Sequence, residues 1–217
     1  MARNKHPEET VNLIIDVACR LFIEKGYEHT SIQDIIDKMG GLSKGAIYYH
    51  FKSKEDILVA VMDKITGGFE KVLSAVRDRT DLTGQEKLKM IYKESLFQPE
   101  QDEIFAASPD LSNNPRLLFS MFHGTVKESA PDYILPIIEE GISDGSIQTD
   151  YPAELAELIM LITNIWMNPM IFNDSADITY RKSMIFRQIM QSFGLGVVDD
   201  EILGRLQELA SIYQRNK

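Results

Sequence analysis

Residues 42 to 54, Leu-Ser-Lys-Gly-Ala-Ile-Tyr-Tyr-His-Phe-Lys-Ser-Lys, hold three lysines and two adjacent tyrosines with no acid among them, in a chain of net charge -10. Ammonium groups hold phosphates, and phenol hydroxyls donate to phosphates or base edges, so the counterpart such a patch suits is a nucleic acid. Ser43 can cap a helix beginning at Lys44, with Leu42 as a hydrophobic anchor before it. At roughly 100° per helical residue, Ile47 and Phe51 share the core-facing line, which turns Gly45, Tyr48 and Tyr49 outward and leaves Lys44 at the edge of that face. The competing arrangement buries both tyrosine rings and shows only their hydroxyls. Gly45 favours contact, because a helical glycine costs about 1 kcal/mol against alanine and is tolerated where another backbone comes close.

The residues before the patch supply a scaffold to hold it. Ile14, Val17, Ala18, Leu21 and Phe22 recur at helical spacing, and Gly26 closes that helix. Thr30 or Ser31 can cap a second helix carrying Ile32, Ile35, Ile36 and Met39, which Gly40 and Gly41 then break. Helix, glycine turn, short capped helix, tight turn and basic helix make a helix-turn-helix, whose second helix enters the major groove while the first braces it.

The run from Ile14-Asp-Val-Ala-Cys-Arg-Leu-Phe through Gly26-Tyr-Glu-His-Thr-Ser-Ile-Gln-Asp-Ile to Ser43-Lys-Gly-Ala-Ile-Tyr-Tyr-His-Phe-Lys-Ser-Lys-Glu-Asp-Ile-Leu58 resembles the TetR family of bacterial transcriptional regulators, over about the first 60 residues. The resemblance implies an all-α protein with a helix-turn-helix DNA-binding domain over residues 1–53 and a helical ligand-binding and dimerisation domain over 54–217. It also implies a homodimer that binds a palindromic operator through helix 31–39 and recognition helix 44–50, and that responds to a small-molecule effector. By the same resemblance, Lys44, Gly45, Ala46, Tyr48, Tyr49 and His50 line the major groove, while Thr30, Ser31 and Lys54 hold phosphates. Many relatives carry a hydroxyl residue at the position of Ala46, so one polar base contact is missing here and base readout is thin. Operator sequence, regulated genes and the choice between repression and activation stay open at this level; repression is the reading carried forward.

The acidity belongs to the second part of the chain. Residues 1–64 hold nine Lys+Arg against ten Asp+Glu, whereas residues 65–217 hold fourteen against twenty-three. An acidic body would turn the basic patch toward DNA by repulsion; the plain alternative is that it serves solubility. With 217 residues and 44% hydrophobic content, the chain can bury one small reader and one larger helical core. The apolar line Leu58, Val61, Met62, Ile65, Phe69, Val72, Leu73, Val76 predicts one long helix joining them, with Gly67-Gly68 as a flex point or a close-packing site.

Further helices are expected near 84–98, 115–129, 132–144, 153–172, 177–194 and 199–215, punctuated by Thr83-Gly84, Asn114-Pro115, Ala130-Pro131, Gly145, Tyr151-Pro152 and Gly194-Leu-Gly196. Residues 99–114 read either as a mobile lid or as a surface loop with a short helix. The stretch 155–172 is apolar on nearly every face, yet Glu157, Asn164, Asn168 and Pro169 disqualify it as a membrane span. With 177–194 it would form half of a four-helix dimer seam. Tyr92, Phe97, Met121, Phe122, His123, Asn164, Trp166, Met167 and Met170 are candidate lining for an effector pocket, although each also suits ordinary core packing.

Enzyme chemistry finds little support. Cys19 is the only cysteine, none of the four histidines has a Glu three residues before it, and no P-loop or dinucleotide glycine pattern follows a strand. The reading is of no catalytic residue, no metal and no cofactor. With no signal peptide or membrane segment, it is also of a cytoplasmic protein. An all-helical small-molecule or protein-interaction module with little DNA binding is the alternative from another class.

Overall fold

The computed structural model describes residues 7–40, 44–99, 101–113 and 115–216, and among them every regular element is helical. Helix α1 (Pro7–Lys25) buries Ile14, Val17, Ala18, Leu21 and Phe22 on one face and ends at Gly26, whose φ of 82° is the left-handed value that closes a helix. Helix α2 (Ile32–Lys38) is capped by Ser31, which resolves the choice between Thr30 and Ser31. Helix α3 (Lys44–His50) buries Ile47, with Phe51 just beyond it. The expected cap at Ser43 and anchor at Leu42 lie outside the described residues.

Helix α4 (Lys54–Arg77) runs unbroken through Gly67-Gly68, and Ser53 caps its start by accepting from the Asp56 N–H at 3.1 Å. Its Leu58 and Val61 pack into the reader and its Leu73 and Val76 into the body, so one rigid rod joins the two. Helix α5 (Gly84–Leu96) begins with a capping box between Thr83 and Glu86. It lies so close to the later helix α8 that a Cβ on Gly84 would fall 2.4 Å from the Gly141 Cα, and only glycine permits that approach.

The described part of 99–114 holds the short helix of the second reading. That helix is α6 (Gln101–Ala107), which packs on α1 and on the last helix, and a 3₁₀ turn follows at Leu111–Asn113. Helix α7 (Pro115–Gly124), a π-helical stretch (Thr125–Ile134) and α8 (Leu135–Asp144) are continuous, whereas a break was expected at Ala130-Pro131. Pro131 has no N–H to lose, and the wider turn lets the Leu135 N–H reach back five residues to the Ala130 carbonyl, so the chain passes the proline without stopping.

The helix expected over 153–172 is interrupted instead. Helix α9 (Pro152–Leu161) passes into a second π-helical stretch (Ile162–Trp166). The chain breaks at Met167-Asn168, and the short α10 (Pro169–Phe172) restarts under an Asn168 cap. A residue before proline avoids helical backbone, and Asn168 is accordingly extended at ψ 113°. Helices α11 (Ala176–Ser192) and α12 (Asp200–Arg215) pack together and close the body.

Two buried clusters result, and their boundary is not residue 53. The reader cluster takes in Leu111, Leu117, Met170, Ile171 and Tyr213 from the far part of the chain, beside α1 and α3 residues such as Ile14, Leu21 and Ile47. The expected division into 1–53 and 54–217 follows sequence order, while the hydrophobic packing crosses it.

Candidate nucleic-acid interface

The reader assembles around Tyr27. Its ring meets Phe22 edge-on at 5.2 Å, its carbonyl accepts both the Thr30 N–H at 3.2 Å and the Lys54 ammonium at 2.9 Å, and that ammonium lies 4.0 Å from its ring centroid. Burial, with Glu55 and Glu28 nearby, pushes the Tyr27 phenol well above its ordinary value, so it stays protonated throughout the physiological range. No sequence pattern flagged this residue, because its role depends on Lys54, twenty-seven positions away.

Thr30 is 1% exposed, and its hydroxyl donates to the Leu21 and Gly26 carbonyls at 3.2 and 2.9 Å, so the side chain pins the turn between α1 and α2. Ser31 is exposed, but its hydroxyl serves the α2 cap. It accepts from the Asp34 N–H at 3.1 Å and donates to the Asp34 carboxylate, which in turn takes the Ser31 N–H at 2.8 Å and the Lys25 ammonium at 2.9 Å. The Ser31 hydroxyl, the Lys25 ammonium and the Ser31 N–H together hold the Asp34 carboxyl well below the usual carboxylate range.

The outward face of α3 is open. Tyr49 is 82% exposed and Tyr48 43%, with Lys44 and Gly45 exposed and Ala46 and His50 half-buried. The Lys44 ammonium lies 5.9 Å from the Tyr48 ring, and His50 stands edge-on to Tyr49 at 4.9 Å. Exposed rings tied to a core by Ile47 and Phe51 form a rigid ridge carrying hydroxyls and one mobile cation, suited to a groove walled with phosphates. Lys52 is exposed beside it, with its N–H donating to the Asp56 carboxylate at 3.0 Å. Lys54 is half-buried and keeps two ammonium hydrogens beyond its bond to Tyr27.

The nine effector candidates do not converge. Tyr92, Trp166 and Met167 belong to the body cluster, whereas Met121 and Met170 pack with the reader cluster. Phe97 lies on the surface beneath Lys93 and Arg205. Phe122 and His123 are exposed on α7, where the His123 Nδ1 lies 3.7 Å from Glu128. The Asn164 amide donates to the Met160 carbonyl and the Thr163 hydroxyl, both at 3.1 Å, and so finds its partners within its own helix.

One candidate stands apart. The Tyr92 hydroxyl is buried with no hydrogen-bond partner, its ring packs edge-on to Phe186 at 5.8 Å, and burial pushes its phenol far above the ordinary value. A hollow of about 190 Å³ between the first π-helical stretch and α9, and another of about 100 Å³ between α1 and Lys38, are lined by none of the nine. Among the described residues no three His, Cys, Asp or Glu gather as metal ligands, and no helix is long and apolar enough to cross a membrane.

Residues 14–61 match the model for bacterial regulatory proteins of the tetR family. The HTH-type transcriptional repressor KstR2 of Rhodococcus jostii is 28% identical over 159 residues, covering 66% of this chain and 70% of that protein. An uncharacterized HTH-type transcriptional regulator of Bacillus subtilis, YerO, is 27% identical over 171 residues, 76% of this chain, which spans 57% of YerO's length. Both alignments are too long to be confined to the reader. The crystal structure of a transcriptional regulator from Cytophaga hutchinsonii shares the fold, with a TM-score of 0.61 at 17% identity, covering 96% of this chain and 98% of that one.

Proposed function

Since this chain belongs to the tetR family of bacterial regulatory proteins and is a DNA-binding transcriptional regulator, we propose that it is a ligand-responsive repressor that binds a palindromic operator as a homodimer. The observation that carries this reading is the open face of α3, where Lys44, Gly45, Tyr48 and Tyr49 stand clear of a core that holds their backbone fixed. Lys44, Tyr49 and the methyl of Ala46 meet base edges, Gly45 lets the backbone approach, and Tyr48, His50, Lys52 and Lys54 flank the groove. The similarity to KstR2, a repressor by its name, supports repression.

Pairing of two copies is supported by apolar side chains left at the surface of the body. Leu158 on α9 and Ile178, Tyr180 and Ile185 on α11 are all exposed, and helices that show such faces lose them from water by forming a seam with a second copy. A two-fold pair also suits a palindrome, whose half-sites lie about 34–36 Å apart or at multiples of that distance. The effector reaches the body core beside Tyr92, where its polar group supplies the partner that the buried hydroxyl lacks. Catalysis has no part in this function, since the matched relatives are regulators. The protein works in the cytoplasm, where its operator is.

Selection from random duplexes tests the reading, with the expected outcome an enriched palindrome. On that sequence Tyr49→Ala weakens binding by about 1–3 kcal/mol and relaxes preference at its contacted bases. If no palindrome is enriched, the alternative stands: a helical interaction module with little DNA binding, which the acidity of residues 65–217 would suit.

A further inference from the structure

A second connection between body and reader bypasses α4. The π-helical stretch Ile162–Trp166 lies between the two clusters: Ile162, Trp166 and Met167 pack with the body cluster, and Ile165 packs against the reader cluster. Beyond the break at Met167-Asn168, Met170 and Ile171 of α10 are buried in the reader cluster itself. Helix α10 rests on the 3₁₀ turn and on α12, and α12 rests on α6, which lies against α1.

One side chain closes this loop at both ends. Lys182 of α11 donates to the Trp166 carbonyl at 2.7 Å and pairs with the Asp174 carboxylate, so a single ammonium joins the residues on either side of α10. That ammonium lies 4.1 Å from the Phe172 ring centroid and 5.4 Å from that of Trp166. The Lys182 and Asp174 side chains are 14% and 10% exposed, which sets the pair apart from a surface ion pair. On the other side, Gln214 of α12 donates to the Asn173 carbonyl at 3.1 Å, its side-chain oxygen at 3.0 Å and the Asp174 carbonyl at 3.0 Å. Asn173 holds a left-handed φ of 53° there, and among the described residues no other non-glycine residue does.

We propose that Lys182 is a positioning residue, a latch through which the packing of the body core sets the seating of the reader. A π-helical stretch holds one more residue in its turn than an α-helix, so a return to α-helical pairing at Ile162–Trp166 advances the following chain by one residue. With Lys182 fastened to the Trp166 carbonyl and to Asp174, that advance moves Met170 and Ile171 within the reader cluster. A molecule that changes the packing around Trp166 or Met167 thereby reaches α1 by way of α10, the 3₁₀ turn and α12. Only the final step, to DNA affinity, rests on the DNA-binding reading.

Amide hydrogen exchange on the full chain tests the latch, comparing the parent with Lys182→Met and with Arg187→Met, a control on the same helix that breaks a surface pair to Asp200. In Lys182→Met, exchange over 167–174 and over 14–22 quickens by about tenfold while 137–141 in α8 is unchanged, and the control matches the parent. On the selected palindrome Lys182→Met changes affinity several-fold. The latch is overturned if 167–174 quickens while 14–22 does not, or if all three regions quicken equally, which is general loosening. Should Lys182→Met fail to fold, Gln214→Ala releases the same loop from its other side and is read in the same way. If no palindrome is selected, the DNA-binding reading fails and the exchange result still decides the latch.

Discussion

Lys54 and Lys87 hold opposite ends of the rod α4, each by a bond to a main-chain carbonyl, and the two ends are built differently. At the reader end the Lys54 ammonium bonds the Tyr27 carbonyl at 2.9 Å and lies against the Tyr27 ring, half-open to solvent. At the body end Lys87 is 1% exposed, bonds the Arg77 carbonyl at 2.8 Å and pairs with Glu140 of α8 at 2.5 Å. The same corner is fixed further by the glycine contact between α5 and α8, and by Asp144 accepting the Gly84 N–H at 2.8 Å. A buried cation bonded to a carbonyl and paired with a carboxylate marks a joint that resists movement, whereas a half-open cation with a single bond marks one that can adjust. On these lysine contacts the body end of α4 is the clamp, and the Lys54 end is the swivel, the joint expected to adjust first.

Gly84→Ala attacks the clamped end and carries the largest expected effect. A methyl 2.4 Å from the Gly141 Cα and 2.6 Å from the Ile137 carbonyl must force two backbones apart. A loss of about 3 kcal/mol and a Tm lower by about 6–12 °C are expected. An unchanged melting curve would mean that this joint gives way easily and the contrast between the ends is lost.

Lys87→Met comes next, expected to cost about 2 kcal/mol in urea unfolding, because the Arg77 carbonyl loses its donor while Glu140, 41% exposed in its side chain, can rehydrate. Lys54→Met at the swivel is expected to cost under about 1 kcal/mol of stability, yet to lower the slope of log affinity against log salt by about 0.9, the signature of one lost phosphate contact. Comparable stability losses for the two lysine variants would erase the distinction between clamp and swivel.

The smallest effect concerns pH. The Asp34 carboxyl is held below its unfolded value near ~3.9, so its stabilisation is complete above that value and is lost as pH falls through the folded one. Acid unfolding of Asp34→Asn should therefore show a shallower dependence on pH below about 4 than the parent, while the two converge at the lowest pH reached. Parallel acid curves for parent and variant would show that the α2 cap holds nothing that depends on that charge.

Most of the reader was legible in sequence because its signals are local. Ile14, Val17, Ala18, Leu21 and Phe22 declare one face of α1, Gly26 ends it, and Ile47 with Phe51 orients α3. The outward tyrosines followed from that orientation alone. Thr30 did not, because a threonine beside a helix start reads as a cap or a phosphate ligand until the carbonyls of Leu21 and Gly26 are brought over it. Pro131 and Pro169 teach a related lesson: the first was expected to mark a helix boundary and the second to lie inside a helix, yet a π-turn absorbed Pro131 while the chain broke just before Pro169. The effector candidates were named by residue type, and type cannot tell the body core from the reader core when both are lined by the same apolar side chains.

What the sequence by itself determined was the helical class, the order of the reader's helices and the face of α3 left in water, because helical periodicity and capping act within a few residues. Only the tertiary structure decided that Met170, Ile171 and Tyr213 complete the reader's cluster, that Lys182 grips both sides of α10, and that the two ends of α4 are held so unequally. Each of these joins residues far apart in the chain, and the interactions depend on distances of a few ångströms that no local pattern encodes.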